Sequence, residues 1–406
     1  MQTIWVSMAL LSVLQCHRLL HRVRKQVRYP AQPDQTRAWL IVPFKGLDVD
    51  LPGCIRSLCT QEYPDYRLIL VVDSTSDPAY PVLVAEAARY PERSIQLLVA
   101  GPTDDYQSQK IHNQLHAISV VLPQAGKDDV LVFADSDAVP GAYWLSEMVV
   151  PVRFKEVIGV ATGYRWLIPQ VDALTGKTSI WSQLASVMNS SVACMYRNNF
   201  TSQAWGGAMA VRVETALEQN LMGWLRGSLT DDYQLSRMCR KMGKELWFAP
   251  RCLSPTPVQF DLSGFLNFVR RQYTITRVYV PGTFLASLSM LTLWVMGMTA
   301  TWLTLMISGW QAPDGAGWKI SAGVIVLLAL LHQMRALFRR RVVIAAFGED
   351  VYQQLKPTLL LDQWGTWFWM TLHWLLMLST CVGNRITWRG ITYKLNGPQN
   401  IRRVDD

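Results

Sequence analysis

The sequence predicts an α/β protein with a mostly parallel sheet, helices on both faces, and transmembrane helices in addition. Three observations carry this. Short apolar runs alternate with helical stretches between residues 38 and 257. Acidic residues stand where those runs end. Further on, Phe284 to Ser308 carries no charge over about 25 residues, enough to cross roughly 30 Å of hydrocarbon. The averages agree. The chain has 406 residues, of which 50% are apolar and 17% charged, below the roughly 25% charged residues of soluble domains. Mean hydropathy is +0.11. A disordered or fibrous chain is excluded, and an ordinary soluble enzyme is disfavoured.

At the N-terminus, Ile4 to Leu14 is apolar, and Arg18, Arg22, Arg24, Lys25 and Arg28 follow. A cleaved signal peptide carries its charge before the apolar core. The reversed order reads as a short signal-anchor whose downstream side is cytoplasmic, or alternatively as a non-spanning interfacial helix. The predicted strands are Trp39–Val42, Leu68–Val72, Ile95–Val99 and Val130–Phe133, with helices at Leu51–Gln61 and Tyr80–Tyr90 between them. Val258 to Val280 mixes aromatic and aliphatic residues with Arg270, Arg271 and Arg277, the pattern of an interfacial amphipathic helix.

Beyond it, Ile320–Leu331, extendable to Leu337, and Trp364–Val382 are further candidate spans. None carries the buried charges of a transport pathway, which argues against a channel. Arg339, Arg340 and Arg341 are expected on the cytoplasmic side. Counting every span exports the tail, although Arg385, Arg389, Lys394, Arg402 and Arg403 oppose this, so Val342–Leu361 is read as re-entrant or interfacial. The resulting organisation is a membrane anchor (1–21), a basic linker (22–37), a cytosolic α/β domain (38–257), an interfacial helix (258–281), a transmembrane and re-entrant region (282–384) and a basic tail (385–406).

Lys and Arg exceed Asp and Glu by 39 to 30, a net charge of +9. The basic residues cluster beside apolar segments, which fits an anionic membrane surface and disfavours nucleic acid. Seven scattered cysteines without a CxxC pair fit a reducing cytosol better than a disulfide framework or zinc site. Two glycosylation-like sequons, at Asn189 and Asn199, are read as chance in a cytosolic domain. Nothing in the sequence points to an obligate protein partner.

The chemistry lies in the acids, because open α/β sheets bind ligands at the carboxyl ends of their strands. Asp73 and Asp77 follow the second strand. Asp135 and Asp137 form a D-x-D after the fourth, suited to Mg²⁺ or Mn²⁺ shared with a diphosphate, or to a helix-capping turn. Asp231 and Asp232 open an amphipathic helix, either as caps or with one as a general base. Lys110 and Asn113 share one helical face, where a lysine can reach a phosphate or stay solvated. Gly206-Gly207 lets backbone approach a ligand closely, or is a plain loop.

In this order the residues resemble the ceramide glucosyltransferases, a membrane branch of the inverting nucleotide-sugar glycosyltransferases (family 21, similar to family 2). Pro43-Phe44-Lys45-Gly46 is similar to the family's P-L-K-G, and Glu62-Tyr63-Pro64 with Tyr66 precede the second strand as they do there. Asp77-Pro78-Ala79 looks like D-D-P-A; Lys110, Ile111 and Asn113 look like K-I-N-N. Asp135-Ser136 resembles D-S, Asp232-Tyr233 resembles E-D-Y, and Trp388 to Tyr393 resembles W-R-x-G-x-Y. There are two departures. Ser74 and Ser76 interrupt the first acidic cluster. In the R/Q-x-x-R-W motif only Arg271 survives, with Phe268 and Gln272 at the R/Q and Trp positions.

The resemblance implies a nucleotide-diphospho-sugar transferase fold of the GT-A type and transfer of a hexose, glucose by preference, from a UDP-sugar to a lipid hydroxyl, ceramide or diacylglycerol-like. It implies that Pro43, Lys45, Asp73, Asp77, Lys110, Asn113 and Asp135 hold the donor, with Asp73 and Asp77 at uracil and ribose. Asp135 and Asp137 would hold Mg²⁺ or Mn²⁺, Asp232 would be the base, and Arg271 would neutralise the departing diphosphate. The implied place is integral in the membrane, multi-pass, with the catalytic domain on the cytoplasmic side. A processive polysaccharide synthase of the same class is the alternative; such enzymes use more spans and an intact Q-x-x-R-W.

Overall fold

The computed structural model describes residues 1–404 except 49, 174 and 198–201. The chain divides into two compact units. One comprises Gln26–Trp166, Tyr196–Pro257 and Asn384–Asp406; the other Met1–Lys25, Leu167–Met195 and Val258–Gly383.

The first of these is built on a seven-stranded sheet of order β3-β2-β1-β4-β6-β5-β7. Its strands are β1 (Ala38–Pro43), β2 (Tyr66–Val72), β3 (Ser94–Val99), β4 (Val130–Phe133), β5 (Ile158–Pro169), β6 (Met209–Arg212) and β7 (Glu245–Val258). β1 pairs in parallel with β2 and β4, and β2 with β3. β6 runs antiparallel to β4 and β5. The four strands read from sequence are thus the parallel half. The antiparallel half is hidden in sequence: β7 contains Pro250, Pro255 and Pro257, residues that demote a strand reading and are tolerated at a sheet edge.

Alternate residues of β1 face opposite sides, as a pleated strand requires. Leu40 and Val42 pack with Ile55 and Leu58 of α2 (Leu51–Cys59) on one face. α3 (Ala79–Ala87) contributes Leu83 to that cluster. Trp39 and Ile41 pack with Ile111 and Ile118 of α4 (Gln109–Val121) on the other. α5 (Trp144–Phe154) joins the first face, and α7 (Val213–Glu218), α8 (Leu221–Leu225) and α9 (Asp231–Lys241) join the second. The basic tail folds into a separate three-stranded antiparallel sheet, β8 (Arg385–Trp388), β9 (Ile391–Gly397) and β10 (Asn400–Val404). It belongs to this unit, not to a free terminus.

The other unit is helical. α1 (Gln2–Arg28) is a single helix of 27 residues that absorbs both the apolar start and much of the basic linker. Trp5, Ala9, Val13 and Cys16 repeat at helical spacing and are buried. α1 meets α11 (Pro281–Gln311) closely: a Cβ on Gly297 would lie 2.7 Å from that of Trp5. α1, α11 and α12 (Ala316–Phe347) are long and apolar enough to cross a membrane. The stretch Trp364–Val382 forms no helix of spanning length. It forms α14 (Thr366–Leu378), 13 residues long and short of the roughly 20 needed, because Gly365 separates it from α13 (Glu349–Trp364). α6 (Ile180–Ala193), placed by sequence inside the α/β domain, packs here through Leu184 and Val187 against Phe265 and Val269 of α10 (Leu262–Tyr279).

The expectation that no span carries buried charge is corrected. Arg335 and Arg339 of α12 are buried and bond Asp362 of α13 at 2.9 and 2.8 Å. Arg339 is therefore an ion-pair partner and not a flanking charge; Arg340 and Arg341 remain exposed. Asn189 is buried, with its carbonyl accepting from Leu167 N at 3.1 Å, and presents no glycosylation acceptor. Asn199 lies outside the described residues.

Candidate active site

The chain builds β1, then β2 and β3 on one side of it, then returns to place β4 on the other. Ligand crevices form where strand order reverses in this way. The carboxyl ends of β1, β2 and β4 deliver Lys45, Asp73 and Asp135 to one place.

Asp77 is buried and accepts from Gly46 N at 2.9 Å and Ala79 N at 2.9 Å. It thereby fixes the turn after β1, where Gly46 has φ +68°, and the start of α3. Lys45 pairs with Asp73 and lies 3.7 Å from Asp77. Asp73 Oδ1 is buried and has no hydrogen-bond partner among the described residues. Asn113 is 1% exposed; its amide donates to Phe44 O at 3.3 Å and accepts from Gln109 at 2.8 Å. It supports the strand ends, as does buried Pro43 at the end of β1.

The centre is Lys110. Its ammonium lies 2.7 Å from Asp135 and 2.9 Å from Asp231. Burial opposes its charge, but the two carboxylates outweigh burial and push its pKa up. It is not a solvated lysine. Gln114, one turn on, donates to the second oxygen of Asp231 at 2.6 Å. Sequence spacing placed Lys110 and Asn113 on one face; the i, i+4 position of Gln114 is the signal that would have added it. Ser108 caps α4 and donates to Leu229 O at 2.8 Å, bringing the start of α9 against that helix. Gly206 backs this pair: a Cβ there would lie 2.6 Å from Lys110 Nζ and 2.9 Å from Asp231 Oδ1. Glycine is required by close approach.

The two adjacent acids of α9 differ in kind. Asp231 is 1% exposed and its oxygens are taken by Lys110, Gln114 and the Asp232 N–H. The Asp232 carboxyl accepts from Tyr233 N at 2.7 Å. Burial, then Asp231, push its pKa up to about 6, with Lys110 pulling the other way. An acid so placed titrates near neutrality, as a general base must.

Burial, then Asp135, also push Asp137 up to about 6; Arg165 opposes this, and Asp48 adds to it. Among the described residues no three His, Cys, Asp or Glu side chains gather as a closed metal cage. Asp135 and Asp137 nevertheless fit a divalent cation. They are hard oxygen donors whose mutual repulsion a cation relieves, in the kind of site where phosphate and water complete the shell. Asp48, Arg165 and Gln114 escaped sequence reading because each lies outside the motifs. Arg271 belongs to the helical unit, on α10, with its guanidinium 5.7 Å from the Phe268 ring centre.

A switch-point crevice with a D-x-D, a buried lysine and a near-neutral carboxyl is suited to glycosyl transfer from a nucleotide-sugar. The sequence matches Glycosyl transferase family 21 over residues 4–401, and the chain belongs to that family. It is 26% identical over 122 residues to the ceramide glucosyltransferase of Komagataella phaffii, covering 29% of this chain and 23% of that protein. It is 35% identical over 72 residues to the ceramide glucosyltransferase of Candida albicans, covering 17% and 13%. The matches thus span less than a quarter of those relatives. Among solved structures, a mannosyltransferase from Pyrobaculum calidifontis in complex with GDP-Man and Mn²⁺ aligns with a TM-score of 0.43 at 14% identity, over 94% of this chain and 97% of that one. Glucosyl-3-phosphoglycerate synthase from Mycobacterium tuberculosis, with Mn²⁺ and UDP-glucose, aligns at 0.34 and 12%, over 63% and 82%.

Proposed function

We propose that this protein is a membrane-bound inverting glycosyltransferase that moves a hexose, glucose, from a UDP-sugar to the hydroxyl of a ceramide-like lipid. The observation that carries this is Asp232: a carboxyl raised to about 6, beside the Lys110–Asp135–Asp231 cluster, in a chain of family 21. In this reading Asp73 faces the nucleoside, Lys45 orients it, and buried Asp77 holds the loop beneath them. Asp135 and Asp137 would hold Mg²⁺ or Mn²⁺, which would supply positive charge for the diphosphate. Asp232 takes the proton of the acceptor hydroxyl as its oxygen bonds to the anomeric carbon and the bond to UDP breaks, with inversion. Lys110 supplies fixed positive charge beside the developing anion, the kind of preorganised charge that contributes most to catalysis. Arg271 is given the departing diphosphate by resemblance to the family.

In this reading the tail, which shares a unit with the catalytic sheet, lies on the same side of the membrane, with an even number of crossings between residues 257 and 384. α11 and α12 supply two. The basic residues at the end of α1 precede the catalytic unit in the chain, and their excess on that side of the apolar segment supports a cytoplasmic site and a cytoplasmic tail.

The test is to incubate membranes containing the protein with labelled UDP-sugars and identify the labelled lipid by mass spectrometry. Asp232→Asn is expected to lower transfer by about 10²–10⁴-fold while UDP binding persists. A folded Asp232→Asn protein with wild-type transfer refutes the base, and a polymer made without lipid refutes the acceptor.

A further inference from the structure

The turn between β8 and β9 holds two residues, Arg389 and Gly390, flanked by the pair Trp388 and Ile391. Both have left-handed backbones, with φ +48° and +76°. A two-residue hairpin of this type favours Asn-Gly. A side chain with a Cβ is disfavoured there by clash with its own backbone, and such outliers persist where something else fixes them. Arginine has no local reason to occupy the first position.

Its side chain does have one. The Arg389 guanidinium lies 2.8 Å from Asp48 Oδ1 and donates through its other branch to the carbonyl of Lys45. The second oxygen of Asp48 accepts from Ser136 Oγ at 2.5 Å. Ser136 is the middle residue of the D-x-D. One guanidinium therefore ties the loop after β1 to the loop after β4. The three-stranded sheet that carries it is itself anchored through the β9–β10 side: Gln234 donates to Pro398 O at 2.8 Å, Gln399 donates to Gly223 O at 2.7 Å, and Arg403 N donates to Asp105 O at 2.6 Å.

We propose that Arg389 is a positioning residue for the donor diphosphate, acting through Asp48 and Ser136 to fix the Asp135–Asp137 loop, and that the C-terminal hairpin is a structural wall of the donor site. This rests on the reading of that loop as the diphosphate site. The turn keeps arginine against its backbone preference because the charge is needed at the far end of the side chain.

The experiment uses the full chain in detergent, with UDP and Mn²⁺ as the probe. Arg389→Asn suits the left-handed turn and removes the guanidinium. Its melting temperature is expected to equal or exceed that of wild type. UDP binding is expected to weaken about tenfold, because the D-x-D loop loses the charge-assisted bond that holds it through Asp48. KM for the UDP-sugar should rise with it, while KM for the lipid stays unchanged. Asp48→Asn should weaken binding similarly, and the double variant should lose less than the product of the two. Wild-type UDP binding in Arg389→Asn overturns the inference, as does a binding loss matched by a lower melting temperature. Multiplicative losses in the double variant overturn the route through Asp48. A wild-type protein that binds no UDP overturns the donor reading beneath it, which the variant comparison alone does not touch.

Discussion

Replacing Lys110 by methionine preserves much of the side chain's length and removes its charge. In the native protein that charge lies 2.7 Å from Asp135 and 2.9 Å from Asp231, and its side chain is 15% exposed. Breaking a buried ion pair by deleting one partner costs about 3–5 kcal/mol; the partial exposure of Asp135, 24%, puts the expectation near the lower end. A second consequence is kinetic. Lys110 holds Asp232 down against burial and Asp231, and the native carboxyl still sits at about 6. A neighbouring opposite charge lowers a carboxyl pKa by about 1–3. Without it the base stays protonated to higher pH. The rate of a protein that needs Asp232 ionised falls as pH drops through about 6 in wild type. In Lys110→Met the fall is expected to begin about one pH unit higher, so the deficit is larger at pH 6 than at pH 8. Initial rates of lipid glycosylation across that range, with melting curves at each pH, provide the assay. Lys110→Arg, which keeps the charge, should leave the limb where it is. An unshifted acid limb in an active, folded Lys110→Met protein would falsify the coupling of Lys110 to the base.

Removing divalent metal with a chelator should abolish transfer and restore it on adding Mn²⁺ or Mg²⁺; full activity without metal would remove Asp135 and Asp137 from the proposed role. Gly206→Ala places a methyl 2.6 Å from Lys110 Nζ and should lower kcat about tenfold or more through displacement of that ammonium, with a smaller drop in melting temperature than Lys110→Met. Asp362→Asn strands Arg335 and Arg339 between α12 and α13. It should destabilise the helical unit by about 3 kcal/mol, read as a lower melting temperature in detergent; an unchanged melting curve would mean that the pair contributes nothing net.

Much of the catalytic unit was legible because parallel strands buried on both faces read as continuous apolar runs. β4 was delimited to the residue, and the acids at the strand ends were found by position alone. Residues tied together by long-range contacts were not legible. Asp231 and Asp232 are adjacent and chemically identical in sequence. Only the packing of α4 on α9, through Ser108 and Gln114, assigns Asp231 to structure and leaves the Asp232 carboxyl out of those bonds. The apolar stretch after Trp364 read as a span because composition does not reveal the helix break at Gly365.

The sequence by itself determined the fold class, the membrane character and the order of the acidic motifs, since periodicity, apolar length and strand-end position are local properties of a chain. Tertiary structure alone decided three things. It made Arg339 a buried ion-pair partner instead of a topology signal, gave the basic tail to the catalytic unit, and put Arg389 in reach of Asp48. Each is a pairing across 20 to more than 300 residues, set by how the units close on themselves. No window of local sequence records such a pairing, because loop closure costs little more for long separations than for short ones.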